Sequence, residues 1–324
     1  VRLVRRVIGG TFLFEMSGAF ILTLRFLKDM DVLHAIYYGI FHSISAFCNA
    51  GFDLMGRYSP FSSITRFYND PVVILTISAL ILIGGIGFFV CNDLREHGLH
   101  CRHYALQTKM VLSATAVCLF SGTLLFYLFE HNRLFAGMSF GEQLLNSFFC
   151  TVTPRTAGFN TADFSKLTES GQMLTIILML IGGSPGSTAG GMKTTTLAVL
   201  TATAVSVFRR NENPELFKRR IAPETVANAA SILMMYLSLC LTGAFLISRI
   251  EELPMMACMF ETASAVGTVG LSFGITPGLG SISRIILIIL MYLGRVGGLT
   301  LIYAALSGHR IRFGKYPLEK ITVG

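Results

Sequence analysis

Six apolar segments long enough to cross a lipid bilayer recur along the chain, and they restrict it to a membrane-spanning fold. A helix needs about 20 consecutive apolar residues to cross the hydrocarbon core. Hydrophobic residues make up 52% of the 324 residues and charged residues only 14%, whereas an ordinary soluble domain carries about 25% charged residues. This composition excludes a disordered chain, argues against a soluble enzyme and predicts an all-α polytopic membrane protein. The six segments lie at 7–27, 71–91, 108–129, 172–208, 226–248 and 282–306.

A shorter, mildly apolar segment lies between the members of each successive pair of long ones. These segments, at 33–52, 140–159 and 254–271, are too short or too polar to span, and we interpret them as re-entrant half-spans. They end in SAFCNAGF, TPRTAGF and SAVGTVGL, so a small or polar residue, a small or β-branched residue, a glycine and a large apolar residue recur in order. This recurrence predicts one span–pore-loop–span unit used three times, over residues 1–94, 95–210 and 211–324.

The positions of the basic residues predict how the spans are oriented. If the half-spans enter the membrane from outside, the cytoplasmic segments are the N-terminus, 92–109, 209–225 and 307–324. These segments hold most of the Lys and Arg residues, in agreement with the positive-inside rule. We therefore expect a multi-pass protein of the cell membrane with both termini in the cytoplasm. The basic residues behind the net charge of +8 lie between apolar spans, so the expected partner is the lipid bilayer and not nucleic acid.

Three irregular loops at equivalent positions predict one shared, water-filled pathway. Irregular backbone at membrane depth is tolerated only where it lines a cavity or is buried in protein. Glycine permits positive φ, so successive carbonyls can face an axis and replace the hydration shell of a monovalent cation. The alternative is that these glycines only allow helices to pack closely. The predicted filter residues are Asn49, Ala50, Gly51, Thr156, Ala157, Gly158, Thr268, Val269 and Gly270, the last three of which repeat the start of the TVGYG loop of potassium channels.

With the segments IGGSPGSTAGGMKTTT and LGRVGGLT, these loops resemble the Trk/Ktr/HKT superfamily of potassium translocators, most closely its bacterial KtrB-type members. The resemblance covers essentially the whole chain. It implies four span–pore-loop–span repeats around one central pathway, with Gly51, Gly158 and Gly270 as the filter glycines of repeats two to four. A filter glycine one repeat length before Gly51 would fall ahead of residue 1. We therefore expect that the first of the four repeats is absent and that the sequence is a fragment.

The resemblance also implies what the protein binds. Potassium is the expected transported ion, sodium is a candidate activating ion, and no covalently bound cofactor is expected. A homodimer is implied, together with a cytosolic, nucleotide-binding regulatory subunit of the RCK/KTN type (KtrA/TrkA-like). In this family the loops equivalent to 92–109 and 209–225 face that subunit.

The segment 172–208 is too long for a single crossing, and its middle cannot remain helical. A glycine costs about 1 kcal/mol and a proline about 3 kcal/mol inside a helix, so we predict a break over 182–191. The resemblance implies that the break forms an intramembrane gating loop, and the alternative is a kink without a gate. The predicted gate residues are Gly182, Gly183, Ser184, Gly186, Ser187, Thr188, Gly190, Gly191 and Lys193.

Several charged residues fall inside apolar segments. A mid-span arginine needs a partner, a cavity or a function. The resemblance implies that Arg295 faces the pathway below the filter and raises a barrier to cations, and the alternative is an ion pair with Glu261. Lys193 either binds carbonyls of the gating loop or lines the lower pathway. Glu15 is expected to be a packed, hydrogen-bonded acid rather than an ion site.

Two other functions fit parts of the sequence. The G-x-S-x-G spacing over 182–186 is compatible with an intramembrane serine hydrolase using Ser184 or Ser187, but only His42 lies in an embedded segment. A secondary cation transporter with broken helices predicts inverted repeats, whereas these repeats share one orientation. A solvated loop, rather than a metal site, is expected for His97, His100 and His103 with Cys91 and Cys101.

Overall fold

The computed structural model describes residues 2–297 except 60, 99 and 212. Over these residues the chain is mostly helical, with one short β-hairpin and five single 3₁₀ turns. The helices are α1 (Arg2–Phe26), α2 (Val32–Phe47), α3 (Pro71–Ile86), α4 (Phe88–His97), α5 (Leu106–Glu130), α6 (Phe140–Val152), α7 (Glu169–Leu180), α8 (Thr194–Phe208), α9 (Pro223–Glu251), α10 (Met255–Gly267) and α11 (Ser281–Val296); the hairpin strands are β1 (Glu215–Leu216) and β2 (Arg219–Arg220).

Three helices of the described chain are long and apolar enough to cross a membrane: 4–26 within α1, α5 and α9. A fourth candidate is the pair α3 and α4, which bends by 94° at Gly87. The predicted span at 71–91 is therefore wrong at its end, because Gly87 adopts φ 98° and the chain turns away as α4. The predicted span at 282–306 begins at Ser281, and its part after residue 297 lies outside the described residues.

The predicted half-spans contain three short helices: α2, α6 and α10. Polar side chains start the first two, since Asp31 accepts a hydrogen bond from the backbone of α2, and Ser139 forms a capping box with Glu142 in α6. Burial rises toward the C-terminal end of each helix, and every residue of α10 from Phe260 to Gly267 is buried. The three helices therefore converge on the protein interior with their C-terminal ends.

Each short helix packs against the long helix that precedes it in the chain through a small residue. A Cβ on Gly39 of α2 would overlap Thr23 of α1, and a Cβ on Gly122 of α5 would overlap Thr151 of α6. The same pairing recurs where Gly243 of α9 faces Thr262 of α10. Small residues let membrane helices approach closely and gain van der Waals contact. These contacts set the position of each short helix along the long helix that precedes it. They therefore also set the position of the loop that follows the short helix.

The apolar core is divided into clusters that share the short helices. Phe149 and Val152 of α6 pack with α1, α2 and α3, whereas Cys150 of the same helix packs with α5, α7 and α10. Val266 of α10 belongs to a third cluster with α9 and α11. The short helices therefore lie between neighbouring groups of long helices, and their loops meet at the centre.

Candidate functional site

The loops that follow α2, α6 and α10 are irregular in the same way. We call them the first, second and third re-entrant loops (48–52, 153–159 and 268–272). Each contains two residues with positive φ that are two positions apart: Asn49 (50°) and Gly51 (70°), Thr156 (70°) and Gly158 (91°), Thr268 (54°) and Gly270 (89°). The polar residue in each pair carries the strain of the left-handed region, which costs a side-chain-bearing residue about 1–2 kcal/mol.

The three re-entrant loops pack on one another through their glycines. A Cβ on Gly51 would overlap the carbonyl oxygen of Ala157, and a Cβ on Gly158 would overlap that of Val269. The glycine of one loop therefore lies against the backbone just before the glycine of the next. Among the described residues no atom lies within 4 Å of a Cβ built on Gly270, which is exposed. The first loop thus contacts the second, and the second contacts the third. Gly270 of the third loop makes no such contact and is exposed.

Hydroxyl groups from the ends of the short helices hold these loops in place. The Ser45 hydroxyl donates to the carbonyl of Phe52 at 2.7 Å, and the Thr153 hydroxyl donates to the carbonyl of Phe159 at 2.6 Å. In the third loop the direction is reversed, because the backbone N–H of Gly270 donates to the hydroxyl of Ser264 at 3.1 Å. These bonds satisfy backbone groups that a helix would otherwise satisfy internally.

Two properties of this arrangement favour a cation. The C-terminal ends of α2, α6 and α10 lead into the loops, and a helix C-terminus carries a partial negative charge. Asn49 and Thr156 are buried and lie 3.2 Å apart, which joins the first loop to the second by a polar contact. Apart from the guanidinium of Arg155 and the thiol of Cys48, the polar side-chain groups of the loops before their glycines are hydroxyls and an amide. Their oxygens and the backbone carbonyls are groups that suit a desolvated monovalent cation.

The helix break predicted at 182–191 is present, because α7 ends at Leu180 and α8 begins at Thr194. We call residues 181–193 the break loop. Its two ends are tied together, since the N–H of Gly182 donates to the carbonyl of Met192 at 2.8 Å and the N–H of Thr194 donates to that of Gly183 at 3.0 Å. The buried hydroxyls of Ser184 and Thr194 are 3.1 Å apart. The break loop is therefore an ordered element.

The break loop lies against the end of α2 and against the third re-entrant loop. The hydroxyl of Thr188 donates to the carbonyl of Phe47, the last residue of α2, at 3.1 Å. A Cβ on Gly190 would overlap the side chain of Thr268, and one on Gly191 would lie 3.1 Å from the carbonyl oxygen of Gly267. Any movement of the break loop therefore changes contacts at the ends of α2 and α10.

The other side of the break loop is bound to the end of α3. The N–H of Ser184 donates to the carbonyl of Gly85 at 2.9 Å, and the N–H of Thr188 donates to that of Gly84 at 3.3 Å. In return, the N–H of Phe88 donates to the carbonyl of Gly186 at 2.9 Å. The last carbonyls of a helix have no intrahelical partner. The bend at Gly87 thus supplies the carbonyl groups that hold the break loop.

Both basic residues predicted near the pathway donate to the break loop. Nη1 of Arg295 donates to the carbonyl of Thr188 at 3.0 Å, and Nζ of Lys193 donates to that of Ala189 at 2.8 Å. Of the two positions considered for Lys193, the structure thus shows the bond to a loop carbonyl. Two positive charges and the break loop form one hydrogen-bonded group.

The alternative ion pair between Arg295 and Glu261 is wrong. The carboxylate of Glu261 accepts hydrogen bonds from the Ser272 hydroxyl (2.7 Å), the Phe273 N–H (3.0 Å) and the Thr276 hydroxyl (2.7 Å). Both of its oxygens therefore hold the segment after the third re-entrant loop. Glu15 is half-buried, and the thiol of Cys48 lies 3.9 Å from its Oε1, which agrees with a packed acid.

Among the residues that the structure describes, no histidine is hydrogen-bonded to Ser184 or Ser187 of the break loop. Nδ1 of the buried His42 is 2.7 Å from the carbonyl of Tyr38, and its Nε2 accepts from the N–H of Leu54. The hydroxyl of Ser187 donates to the carbonyl of Ser184. In the described part of the chain, no group of three or more His, Cys, Asp or Glu residues could hold a metal ion.

Sequence reasoning missed two buried charged residues near these elements. Arg155, in the second re-entrant loop, is 5% exposed, and Glu130, at the end of α5, is completely buried. Glu130 accepts from both the N–H and the hydroxyl of Thr168, the N-cap residue just before α7. The rule that drew attention to Arg295, a charge within an apolar segment, applies equally to Arg155.

Comparison with known proteins identifies the family. Residues 3–309 match the family described as TrkH, a cation transport protein. The potassium/sodium uptake protein NtpJ of Enterococcus hirae is 37% identical over 331 aligned residues, covering 100% of this chain and 72% of that protein. The Ktr system potassium uptake protein B of Vibrio alginolyticus is 36% identical, covering 100% of this chain and 70% of that protein.

The chain belongs to the TrkH cation transport family. This is a family of transporters rather than enzymes, and membership makes the chain a multi-pass membrane protein. The crystal structure of the potassium transporter TrkH from Vibrio parahaemolyticus has the same fold, with a TM-score of 0.72 at 19% identity. The similarity covers 94% of this chain and 65% of that one, so this TrkH-family chain spans about two thirds of the solved protein.

We predict that alanine at the three loop glycines destabilises the purified chain to different degrees. All three positions have positive φ, which costs alanine about 1 kcal/mol, but only Gly51 and Gly158 also meet a carbonyl. Gly51→Ala and Gly158→Ala should therefore lower the free energy of unfolding by about 2–4 kcal/mol, and Gly270→Ala by about 1 kcal/mol. The free energy of unfolding of each variant is measured by titrating the purified chain with a denaturing detergent. Equal losses of stability at the three positions would contradict the packing described.

Proposed function

We propose that this chain forms the conducting part of a potassium uptake system, with K⁺ passing between the re-entrant loops. The observation that carries the proposal is the succession of three loops with matched left-handed residues, packed glycine against carbonyl. The names of the two relatives, a potassium/sodium uptake protein and a potassium uptake protein, support the choice of ion. Sodium is then a candidate activating ion, and no bound cofactor is required.

In this proposal the re-entrant loops are a selectivity filter made by three copies of one repeat. K⁺ exchanges its hydration water for carbonyl oxygens of residues 49–51, 156–158 and 268–270. The converging C-terminal ends of α2, α6 and α10 lower the energy of the dehydrated cation. The exposed side of Gly270 is where a fourth loop completes the filter.

We further propose that the break loop is the gate. Its backbone donors are bound to Gly84 and Gly85, and its carbonyls are bound by Lys193 and Arg295, so it has a defined conformation. In this proposal the loop lies across the route below the filter. The two positive charges raise the energy of a cation there. Release of these hydrogen bonds lets the glycine-rich loop move aside.

Regulation and topology follow the same proposal. The exposed basic residues of the α8–α9 connection, which includes the β1–β2 hairpin, lie on the cytoplasmic side and bind a nucleotide-binding RCK/KTN-type subunit. The word "system" in the names of the Ktr relatives implies a partner subunit. We expect a homodimer in the plasma membrane with both termini cytoplasmic. The basic residues are Arg209, Arg210, Lys218, Arg219 and Arg220.

The transport proposal predicts rescue of a potassium-uptake-deficient bacterium at low external potassium. We would express residues 1–324 alone and also in place of the matching part of the Enterococcus hirae relative, so that the rest of that protein is retained. Rescue is expected from the second form. Gly158→Ser should reduce ⁸⁶Rb⁺ uptake at least about tenfold, because its side chain meets the Val269 carbonyl in the filter.

The matched control is Gly141→Ala, whose Cβ has no neighbour within 4 Å among the described residues, and uptake should not change. Membrane expression of every form is checked by immunoblot. If the intact relative rescues the strain and the chimera does not, this chain does not supply the conducting pathway. If the chimera rescues and Gly158→Ser leaves uptake unchanged, the second loop is not a filter.

The gate proposal predicts that Arg295→Ala increases ⁸⁶Rb⁺ uptake. Loss of the bond to Thr188 frees the break loop, and loss of the charge lowers the barrier by about 1 kcal/mol, which corresponds to roughly fivefold in rate. Arg284→Ala is the control, because Arg284 lies near the start of the same helix and, within the described residues, donates to the carbonyl of Pro277 and not to the break loop. Unchanged or lower uptake in Arg295→Ala, with normal expression, would contradict the gate.

A further inference from the structure

A groove runs between α5 and α8 and continues to the β1–β2 hairpin that follows α8. Its volume is about 610 Å³, which lies within the range of about 300–1,000 Å³ that is usual for ligand-binding pockets. One wall is formed by α5 between Ser113 and Cys118, and the other by α8 from Leu197 onward. Among the described residues, none from the re-entrant loops or the break loop lines this groove. It is therefore a separate feature of the molecule.

The walls of the groove present hydrocarbon, although some of the wall residues carry hydroxyls. The hydroxyls of Ser113 and Thr201 each donate to the carbonyl four residues earlier in the same helix, at 2.7 and 2.8 Å. Val117 of α5 is 65% exposed and Val205 of α8 is 42% exposed, and both line the groove. Because α5 is long and apolar enough to cross the membrane, we expect this apolar surface to face the acyl chains of the bilayer.

Two basic side chains line the end of the groove next to the hairpin. Arg209 directly follows α8 and Lys218 lies between the two strands, and both are exposed. Within the described residues, neither side chain forms a hydrogen bond or an ion pair. Glu215 also lines this end, so the lining carries two positive charges and one negative charge. Three further basic residues of the α8–α9 connection do not line the groove: Arg210, Arg219 and Arg220.

The hairpin that carries Lys218 is anchored to α8. The hydroxyl of Ser206 in α8 donates to the carbonyl of Asn213, just before the hairpin, at 2.9 Å. Leu216 of β1 packs against the buried cluster that contains Val199 and other residues of α8. The backbone of both basic residues therefore has a defined position next to the groove.

The length of the groove corresponds to one leaflet of the bilayer. The path along α8 from Leu197 to Arg209 covers twelve residues, or about 18 Å at 1.5 Å per residue. The hydrocarbon of one leaflet is about 15 Å thick, half of the bilayer core. A molecule with a charged group at Arg209 and an apolar chain along α8 therefore extends through one leaflet. With the topology proposed above this is the cytoplasmic leaflet, which contains anionic lipids.

We propose that the groove binds one acyl chain of an anionic phospholipid, with its phosphate bound by Arg209 and Lys218. Charge complementarity selects this occupant, because a zwitterionic headgroup brings its own cation next to two basic side chains and an anionic headgroup does not. The second acyl chain remains in the bilayer. The bound lipid joins α5 to α8, the helix that begins where the break loop ends.

The test measures lipid binding by fluorescence and involves no transport, so its result is independent of the proposed function. The chain contains no tryptophan, and Val205→Trp therefore introduces a single reporter on the groove wall. The purified 324-residue chain is titrated in detergent micelles with phosphatidylglycerol or phosphatidylcholine, both brominated on the acyl chains to quench tryptophan fluorescence. Half-maximal quenching by the phosphatidylglycerol should occur at an about tenfold lower lipid fraction, because two basic side chains bind its phosphate.

The controls separate the groove from its surroundings. In the Val205→Trp background, Arg209→Gln with Lys218→Gln should remove the preference for phosphatidylglycerol. Arg210→Gln with Arg219→Gln makes the same charge change outside the groove and should retain the preference. Phe120→Trp, at an exposed position of α5 outside the groove, should be quenched equally by both lipids.

Three results would overturn the proposal: equal quenching by both lipids in Val205→Trp, a preference that survives loss of Arg209 and Lys218, or no quenching by either lipid. The last result is expected if a second copy of the chain covers the groove. If Val205→Trp does not fold, native mass spectrometry of the unmodified chain replaces it. Released from micelles with equal amounts of the two lipids, the chain should retain one phosphatidylglycerol, and retention of neither lipid or of both equally would overturn the site.

Discussion

Backbone polar groups at membrane depth must find partners inside the protein, because the hydrocarbon core offers none. This constraint explains why the irregular segments of this chain lie against one another. The re-entrant loops are tied by Ser45, Thr153 and Ser264 at the ends of the short helices. The break loop takes its partners from α3 and from Arg295 and Lys193. The polar groups of each irregular segment thus find partners in the helix ends and side chains that flank it.

Glycine is required where these irregular segments meet. Gly51 and Gly158 let successive re-entrant loops touch backbone to backbone, and Gly190 gives room for the side chain of Thr268. The break loop is thereby in contact with the ends of α2 and α10. A displacement of the break loop would therefore change contacts both with α3 and with the ends of α2 and α10.

The sequence was sufficient for those features that depend on periodicity and composition. The lengths of the apolar segments predict the positions of the short helices, and the recurring glycines predict the glycine of each loop. The cost of glycine and proline inside a helix predicts the break between α7 and α8. The bend at Gly87 did not follow, because one glycine in an apolar run is compatible with a straight helix and only the bonds to the break loop select the bent form. Burial of Arg155 and the partners of Glu261 also depend on packing between segments far apart in the sequence, which no local pattern encodes.

In the proposed function a monovalent cation occupies the space bounded by the three re-entrant loops. Its most direct test is an anomalous diffraction measurement on crystals of this chain, or of the chimera with its Enterococcus hirae relative, soaked in thallium(I). We expect a thallium peak next to the carbonyl oxygens of Ala50, Ala157 and Val269, which excess potassium displaces. Thallium peaks elsewhere in the membrane region, with none at the re-entrant loops, would contradict it.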